Sequence, residues 1–501
     1  MTVVNRTFYP LQTSMTLISQ MKDQFSTLQT QLATGHRANS LSELGNDRYF
    51  DLSIRARANR IDGYSDSIKM VTGRLNIFDQ VTSRLATLQS SAATAVTPSA
   101  YGTNSVSLGT VPSLGEANLD EVVNLLNTDV DGRYLFAGSK TDKVPVATLD
   151  AMLNGAAGKA GFRQIVSERQ QADVGDGMGR LAASTAADTV TLSEDGDHPF
   201  GFKLSTASST SAAVTITQPG GTPPQSLDVQ FTGLPIAGET VTVGLTLPDG
   251  TSDQVVLKAV SGTPNAGEFQ IGADPDATAA NFQTALQSSL TQKAGTTLVA
   301  ASNNQAANNF FNGQGQPVLR VQGPNFATAT SLVTADPTTT VLWYTGGDDA
   351  NARASVTAKI DDATTIKYGA QANETGTLNL VRGLAVLAVQ NFSTSDPTSE
   401  GRFDAIALRN SNRMSATHNS DPGSIPMLVV ELDNAKTTAS DVQNRHDDYS
   451  AQLQNMLGNI ENIPQEEVAT QILALQTRLQ ASYQVAALIS HLSLVNYLGN
   501  G

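Results

Sequence analysis

The side chains in this sequence best able to do chemistry are five histidines, three acidic pairs and one glycine-rich run. The histidines are His36, His198, His418, His446 and His491. None stands at metal-ligating spacing from another, and no H-E-x-x-H motif occurs, so the pattern carries no histidine metal site. Gly175-Asp176-Gly177-Met178-Gly179 has neither the lysine of a P-loop nor the spacing of a dinucleotide fingerprint, and reads as a flexible entry to a β-rich insert. Asp195-Gly196-Asp197, Asp348-Asp349 and Asp361-Asp362 cluster carboxylates, yet none opens a twelve-residue calcium loop closed by glutamate. Turn formation and solvated charge account for them. No G-x-S-x-G elbow offers a serine nucleophile. The absence of cysteine excludes thiol catalysis, disulfides and thiolate zinc. The expectation is a chain that is not an enzyme, with no catalytic, cofactor-binding or metal-ligating residue.

Composition points the same way. Aromatic residues make up 5% of the 501 residues, with Trp343 the single tryptophan, which leans away from an aromatic-lined ligand pocket. The formal charge of -15 repels phosphate backbones and anionic headgroups, so neither nucleic-acid binding nor a polybasic membrane anchor is expected. No run approaches the ~20 apolar residues of a membrane span. Met1 to Ser19 is polar and does not resemble a cleaved secretory signal, so export would take another route.

The elements that must do the work lie at the two ends. Phe8, Leu11, Met15, Ile18, Met21, Phe25, Leu28 and Leu32 step by threes and fours, one stripe of a helix that Gly35 suits as a stop. Ile54, Ile61, Tyr64, Ile68, Val71, Leu75, Phe78, Val81, Leu85 and Leu88 form a longer, heptad-like seam, broken at Pro98 and Pro112. A third helix is expected over 115–130, with Leu119, Val122, Leu126 and Val130 inward. The carboxy-terminal end mirrors this arrangement. Residues 402–417 are expected to be helical, Asp421-Pro422-Gly423 to break the chain, and a long helix to run from Met427 to Ile460. Its candidate seam is Leu428, Leu432, Val442, Tyr449, Leu453, Met456 and Ile460. Pro464 then starts a last helix, with Glu466 and Glu467 at the favourable end of its dipole. That helix carries Val468, Ile472, Leu475, Leu479, Val485, Leu488, Leu492, Val495 and Leu498.

Between the ends, residues 174–368 are rich in Thr, Gly and Val. Val241, Val243, Leu245 and Leu247 alternate with Thr242, Gly244 and Thr246 before a Pro248-Asp249-Gly250 turn, a hairpin signature. Shorter alternating runs fall at 189–193, 214–217, 227–231, 318–321 and 356–360, with one helix at 276–292. Asn312, Gly313, Gly315 and Pro317 mark a loop that would separate two subdomains. The fold class is therefore α+β: a long antiparallel helical bundle or coiled coil from both termini, with an inserted β-rich outer region. The expected domains are 1–42 plus 462–501 as a terminal coiled coil, 43–173 plus 369–461 as a helical bundle, and 174–368 as the insert. Isolated helices are marginal in water, so the terminal stripes need partners: each other, copies of the chain, or both.

Two stretches resemble the flagellin superfamily. Leu28-Gln29-Thr30-Gln31-Leu32-Ala33-Thr34-Gly35-His36-Arg37 is similar to the amino-terminal pattern in which a helix ends in Leu-Ala-Ser/Thr-Gly and a basic pair. Leu479 to Gln484 and Leu492 to Leu498 resemble the family's carboxy-terminal helix. Asp131-Gly132-Arg133-Tyr134-Leu135-Phe136-Ala137-Gly138 is similar to the Gly-x-Tyr-Leu-Phe-Ala/Gly-Gly signature of the branch that joins flagellar hook to filament. Leu44 to Phe50 keeps little of the Asp-Asp-Ala-Ala-Gly run of filament flagellin.

The resemblance implies a structural subunit of the bacterial flagellum, outside the cell, leaving unfolded through type III export. Its partners would be copies of itself, an adjacent hook-associated protein and flagellin, with an export chaperone on the carboxy-terminal helix. Assembly would run through Phe25, Leu28, Leu32, Leu475, Leu479, Leu488, Leu492, Val495 and Leu498. The motif strand would contribute Gly132, Arg133, Tyr134, Phe136 and Gly138, with Tyr134 and Phe136 packed inward and its turn able to touch a neighbour. Filament flagellin is the alternative within the family, and a carbohydrate-binding insert the alternative outside it.

Overall fold

The computed structural model describes residues 9–95, 97–99, 107–393 and 395–498, without the side chains of 9–11, 95 and 492–498. The first apolar stripe forms α1 (Tyr9–Thr34), the second α2 (Arg48–Ala95), followed by α3 (Val111–Leu126). A short hairpin, β1 (Asp129–Val130) and β2 (Arg133–Tyr134), precedes α4 (Leu149–Asn154) and α5 (Phe162–Val174). The β-rich part runs through β3 (Leu181–Ala186), β4 (Thr189–Glu194), β5 (Lys203–Ser209), β6 (Val214–Thr217), β7 (Ser226–Phe231), β8 (Thr240–Thr246), β9 (Ser252–Val260) and β10 (Glu268–Gln270). Next come α6 (Pro275–Lys293), a π-helical stretch over Ala294–Leu298, α7 (Val299–Phe310), β11 (Leu319–Val321), β12 (Leu332–Thr334), β13 (Thr357–Lys359) and β14 (Thr365–Lys367). The chain closes with α8 (Thr375–Ala388), α9 (Ser399–Arg413), α10 (Ile425–Glu461) and α11 (Gln465–Leu498). This is the α+β class, with long helices at both ends and a β-rich insertion.

The chain divides into two compact units. The first comprises residues 1–71, 359–365 and 438–501. In it α1 packs along α11. Ile54 and Ile61 of α2 are buried with Leu453 of α10, and Ala58, Leu457 and Ile460 close over them.

The second unit comprises residues 72–358 and 366–437. Its helical part is built on α3 against α8. Their backbones come so close that a Cβ on Gly115 would lie 2.8 Å from both Leu387 and Ala388, which requires glycine there. Its β-rich part has two four-stranded sheets, ordered β3-β4-β7-β6 and β10-β9-β8-β5. Strand alternation sets one face of each inward: Val190 pairs Val229 and Leu192 pairs Leu227 in one sheet, while Val241 pairs Leu257 and Val243 pairs Val255 in the other. Phe282 and Leu286 of α6 share a single core with both faces, and Phe231, Phe269 and Phe282 pack edge to face 5.3–5.9 Å apart.

Several sequence expectations need correction. Pro112 does not end a helix but occupies the first turn of α3, where proline's missing N–H costs nothing. Val130 is not on that helix; it lies in β1, because the chain turns at Asp131-Gly132. Pro464 stands one residue ahead of α11, its carbonyl accepting from the N–H groups of Glu467 and Val468. Tyr449 and Met456 are exposed rather than seam residues of α10. Tyr449 borders a cavity. By Met456 the 3.6-residue turn has drifted off the 3.5-residue seam, and Leu457 takes the inward place. Met15 is likewise exposed on α1. Phe8 and the side chains of Leu11, Leu492, Val495 and Leu498 lie outside the described residues.

Candidate assembly surface

The terminal helices are joined where each meets its turn. Gly35, at φ +71°, stops α1 with its N–H on the carbonyl of Gln31, 2.8 Å away. The chain then runs beside residues 461–463. Arg37 donates its N–H to the carbonyl of Glu461 at 2.6 Å, Ile463 donates to that of Gly35 at 3.1 Å, and His36 bridges Asn462. Both helices leave this stitch in one direction, which fixes α1 antiparallel to α11.

The apolar positions of α11 then separate into two faces. Val468, Leu475 and Leu479 are buried, and Ile472 and Ile489 are half-buried along the same side. On the 3.6-residue turn, Leu473, Val485 and Leu488 fall on the far side. They are 65%, 52% and 63% exposed. A helix that is apolar all round belongs in an interior, yet among the described elements only α1 lines α11 substantially. On α1, Phe25 and Leu28 are half-buried, and Leu32 stands at the edge of exposure. Of the sequence-derived assembly residues, Leu475 and Leu479 face inward within the chain, and Leu488 faces out. The free face also includes Leu473 and Val485, which are absent from the sequence-derived assembly set. Their signal was an apolar pattern too dense for a single stripe.

The motif strand is held in the second unit. Asp131 and Gly132, at φ 54° and 73°, make the tight turn between β1 and β2, and the N–H of Gly132 donates to the Asp129 carboxylate at 3.0 Å. Phe136 is fully buried and meets Phe78 edge to face at 5.4 Å, while Tyr134 is half-buried. Gly138 has φ +57°, and a Cβ there would come 2.8 Å from a carboxylate oxygen of Asp349. The motif therefore sets backbone and core at its end and leaves the Gly132–Arg133 tip exposed.

One large cavity, about 630 Å3, lies in the first unit beside Arg57, Arg60, Tyr64, Arg445, His446 and Tyr449. Three of its side chains are already engaged with Asp361 or Asp362. Arg60 pairs with Asp362 at 3.5 Å, Arg445 with Asp361 at 2.5 Å, and Tyr64 donates to Asp362 at 2.8 Å. The bond to Asp362 holds the Tyr64 phenol above its ordinary value, so it serves as donor rather than base. Among the described residues no three His, Asp or Glu side chains converge to hold a metal ion, and no helix is long and apolar enough to cross a membrane.

The fold and this surface define a class: an α+β chain whose terminal helices pair with each other and still present an uncovered apolar face. Residues 6–141 match the family model for the bacterial flagellin N-terminal helical region. The match covers about a quarter of the chain, from α1 through α3 and the motif hairpin. No curated protein matches the chain.

Proposed function

We propose that this protein is a structural subunit of the bacterial flagellum that assembles with copies of itself through α1 and α11, at the junction of hook and filament, as hook-associated protein three does. The observation that carries the assembly part is the outward apolar face of α11, at Leu473, Val485 and Leu488, on a helix already packed on its other side. Burying such a face against a neighbour is favourable by about 25 cal/mol per Å2. The junction part is supported by the Gly132–Gly138 motif and by the loss of the flagellin-type run at Leu44 to Phe50. The proposed domains follow the sequence-derived division: 1–42 with 462–501, 43–173 with 369–461, and 174–368. The protein works outside the cell, and an export chaperone covers α11 beforehand.

Filament flagellin is the second reading, and the match over residues 6–141 is equally compatible with it. Fluorescent labelling of the protein on intact flagella separates the two. A single point at the outer end of the hook is expected, and signal along the whole filament would overturn the junction assignment.

A further inference from the structure

The cavity of about 630 Å3 in the first unit is built from two helix faces and one turn. Arg57, Ile61 and Tyr64 lie one helical turn apart along α2, and Arg445, Tyr449 and Gln452 repeat that spacing on α10. Asp361 and Asp362 stand on the turn closed between Ile360 and Thr364. The acceptors of that turn are satisfied: Asp361 accepts from Arg445 at 2.5 Å and from the N–H of Asp362 at 2.7 Å, and Asp362 accepts from Tyr64 at 2.8 Å.

The donors are not. A guanidinium carries several N–H groups, and Arg60 reaches the turn only at 3.5 Å. Arg57 has no carboxylate partner among the described residues. Its Nη1 rests on the Tyr449 hydroxyl at 3.3 Å, which leaves that hydroxyl's own proton free to donate. His446 adds a buried donor. Its side chain lines the cavity while only 4% exposed, and its ring lies 5.9 Å from that of Tyr64. Nδ1 is sealed in the interior. Nε2 is the ring nitrogen left open: it stands 3.8 Å from the Asp361 carboxylate, beyond hydrogen-bond length, with no hydrogen bond among the described residues. The carboxylate beside it favours the proton on Nε2, so the imidazole presents an N–H.

The rest of the lining sets the kind of ligand. Ile61 is 7% exposed at the base, with the rings of Tyr64 and Tyr449 beside it. Asp361, Asp362 and Asp448 equal Arg57, Arg60 and Arg445 in number, so the cavity has no surplus positive charge for a dianion such as phosphate. Open donors around an apolar base suit a single planar anionic group on an apolar body, and the volume is that of a small-molecule site.

We propose that this cavity binds a small organic monocarboxylate with an aromatic or branched body. The carboxylate takes its hydrogen bonds from the open donors, Arg57 first, and the body covers Ile61 and the tyrosine rings. The site is independent of assembly through α1 and α11.

Isothermal titration calorimetry of the full chain with phenylpropanoate, phenylpropylamine, acetate and inorganic phosphate tests this. Saturable one-to-one binding of phenylpropanoate is expected, tighter than that of the other three. Arg57→Gln should weaken it roughly tenfold. Asp448→Asn removes an exposed carboxylate that has no cation partner among the described residues, and should tighten binding severalfold, the opposite of what damage to the fold would do. The proposal is overturned by lack of saturable binding, by the amine, acetate or phosphate binding as tightly as phenylpropanoate, by undiminished binding in Arg57→Gln, or by binding in Asp448→Asn that is no tighter than in the wild type.

Discussion

Replacing Leu488 with aspartate separates folding from assembly. The side chain is 63% exposed in the lone chain, so a neighbour has about two-thirds of it left to cover. Full burial of a leucine contributes about 1.5–3 kcal/mol, which gives roughly 1–2 kcal/mol for the uncovered part. Leu488→Ala should lose about that much per subunit and raise the critical concentration for polymerisation roughly tenfold. Leu488→Asp adds the desolvation of an unpaired carboxylate, several kcal/mol more, and should abolish polymerisation at any practical concentration. The monomer should barely respond, because exposed substitutions usually fall within about 0.5 kcal/mol. Leu475→Asp is the contrast: it is 7% exposed, so its charge should also disturb α1 and α11 within the monomer. Sedimentation gives the critical concentration and circular dichroism the melting curve. A wild-type critical concentration for Leu488→Asp would refute the reasoning.

Three further outcomes are expected. Gly138→Ala must hold φ +57° and bring a Cβ to 2.8 Å from Asp349 and Gly347, so it should cost about 1–3 kcal/mol, read as a lower melting temperature. Asp249→Ala removes a fully buried carboxylate that accepts from Arg409 at 2.6 Å and Asn304 at 3.1 Å, and should cost about 3–5 kcal/mol in urea unfolding. The bond from Lys258, with the Asn265 N–H, holds Glu268 at about 2 instead of 4.5. Its stabilisation is therefore complete above the unfolded value and lost as pH falls from 4.5 through about 2. Urea midpoints across that window should fall for the wild type and flatten in Glu268→Gln; equal slopes would exclude the effect.

Much of this architecture was legible in the chain because amphipathic periods are. The α2 seam was readable in full: nine of its ten residues are buried and Tyr64 lies partly covered, since a helix with one wet face must alternate its residues. β6 was placed at its observed ends for the corresponding reason in strands. What escaped were elements without a wet face. α8 buries Leu378, Leu380, Val381, Leu384, Val386 and Leu387, so its apolar residues show no period. α7 hides polar residues, Ser302, Asn303 and Asn309, inside the unit, which masks its stripe as loop-like composition. In α10 the seam runs through Ala435, Ala439 and His446, residues too small or too polar to announce it. The free apolar face of α11 was half legible. Sequence spacing found the stripe on α11, but only the packing of α1 shows which leucines are already covered.

Amide hydrogen exchange over residues 465–491, compared between dilute monomer and polymer, probes the dependence of the terminal helices on their neighbours. Rapid exchange in the monomer and strong protection in the polymer are the expected pair of results. Equal, strong protection in both would mean that α11 is complete without a neighbour, and would contradict assembly through its free face.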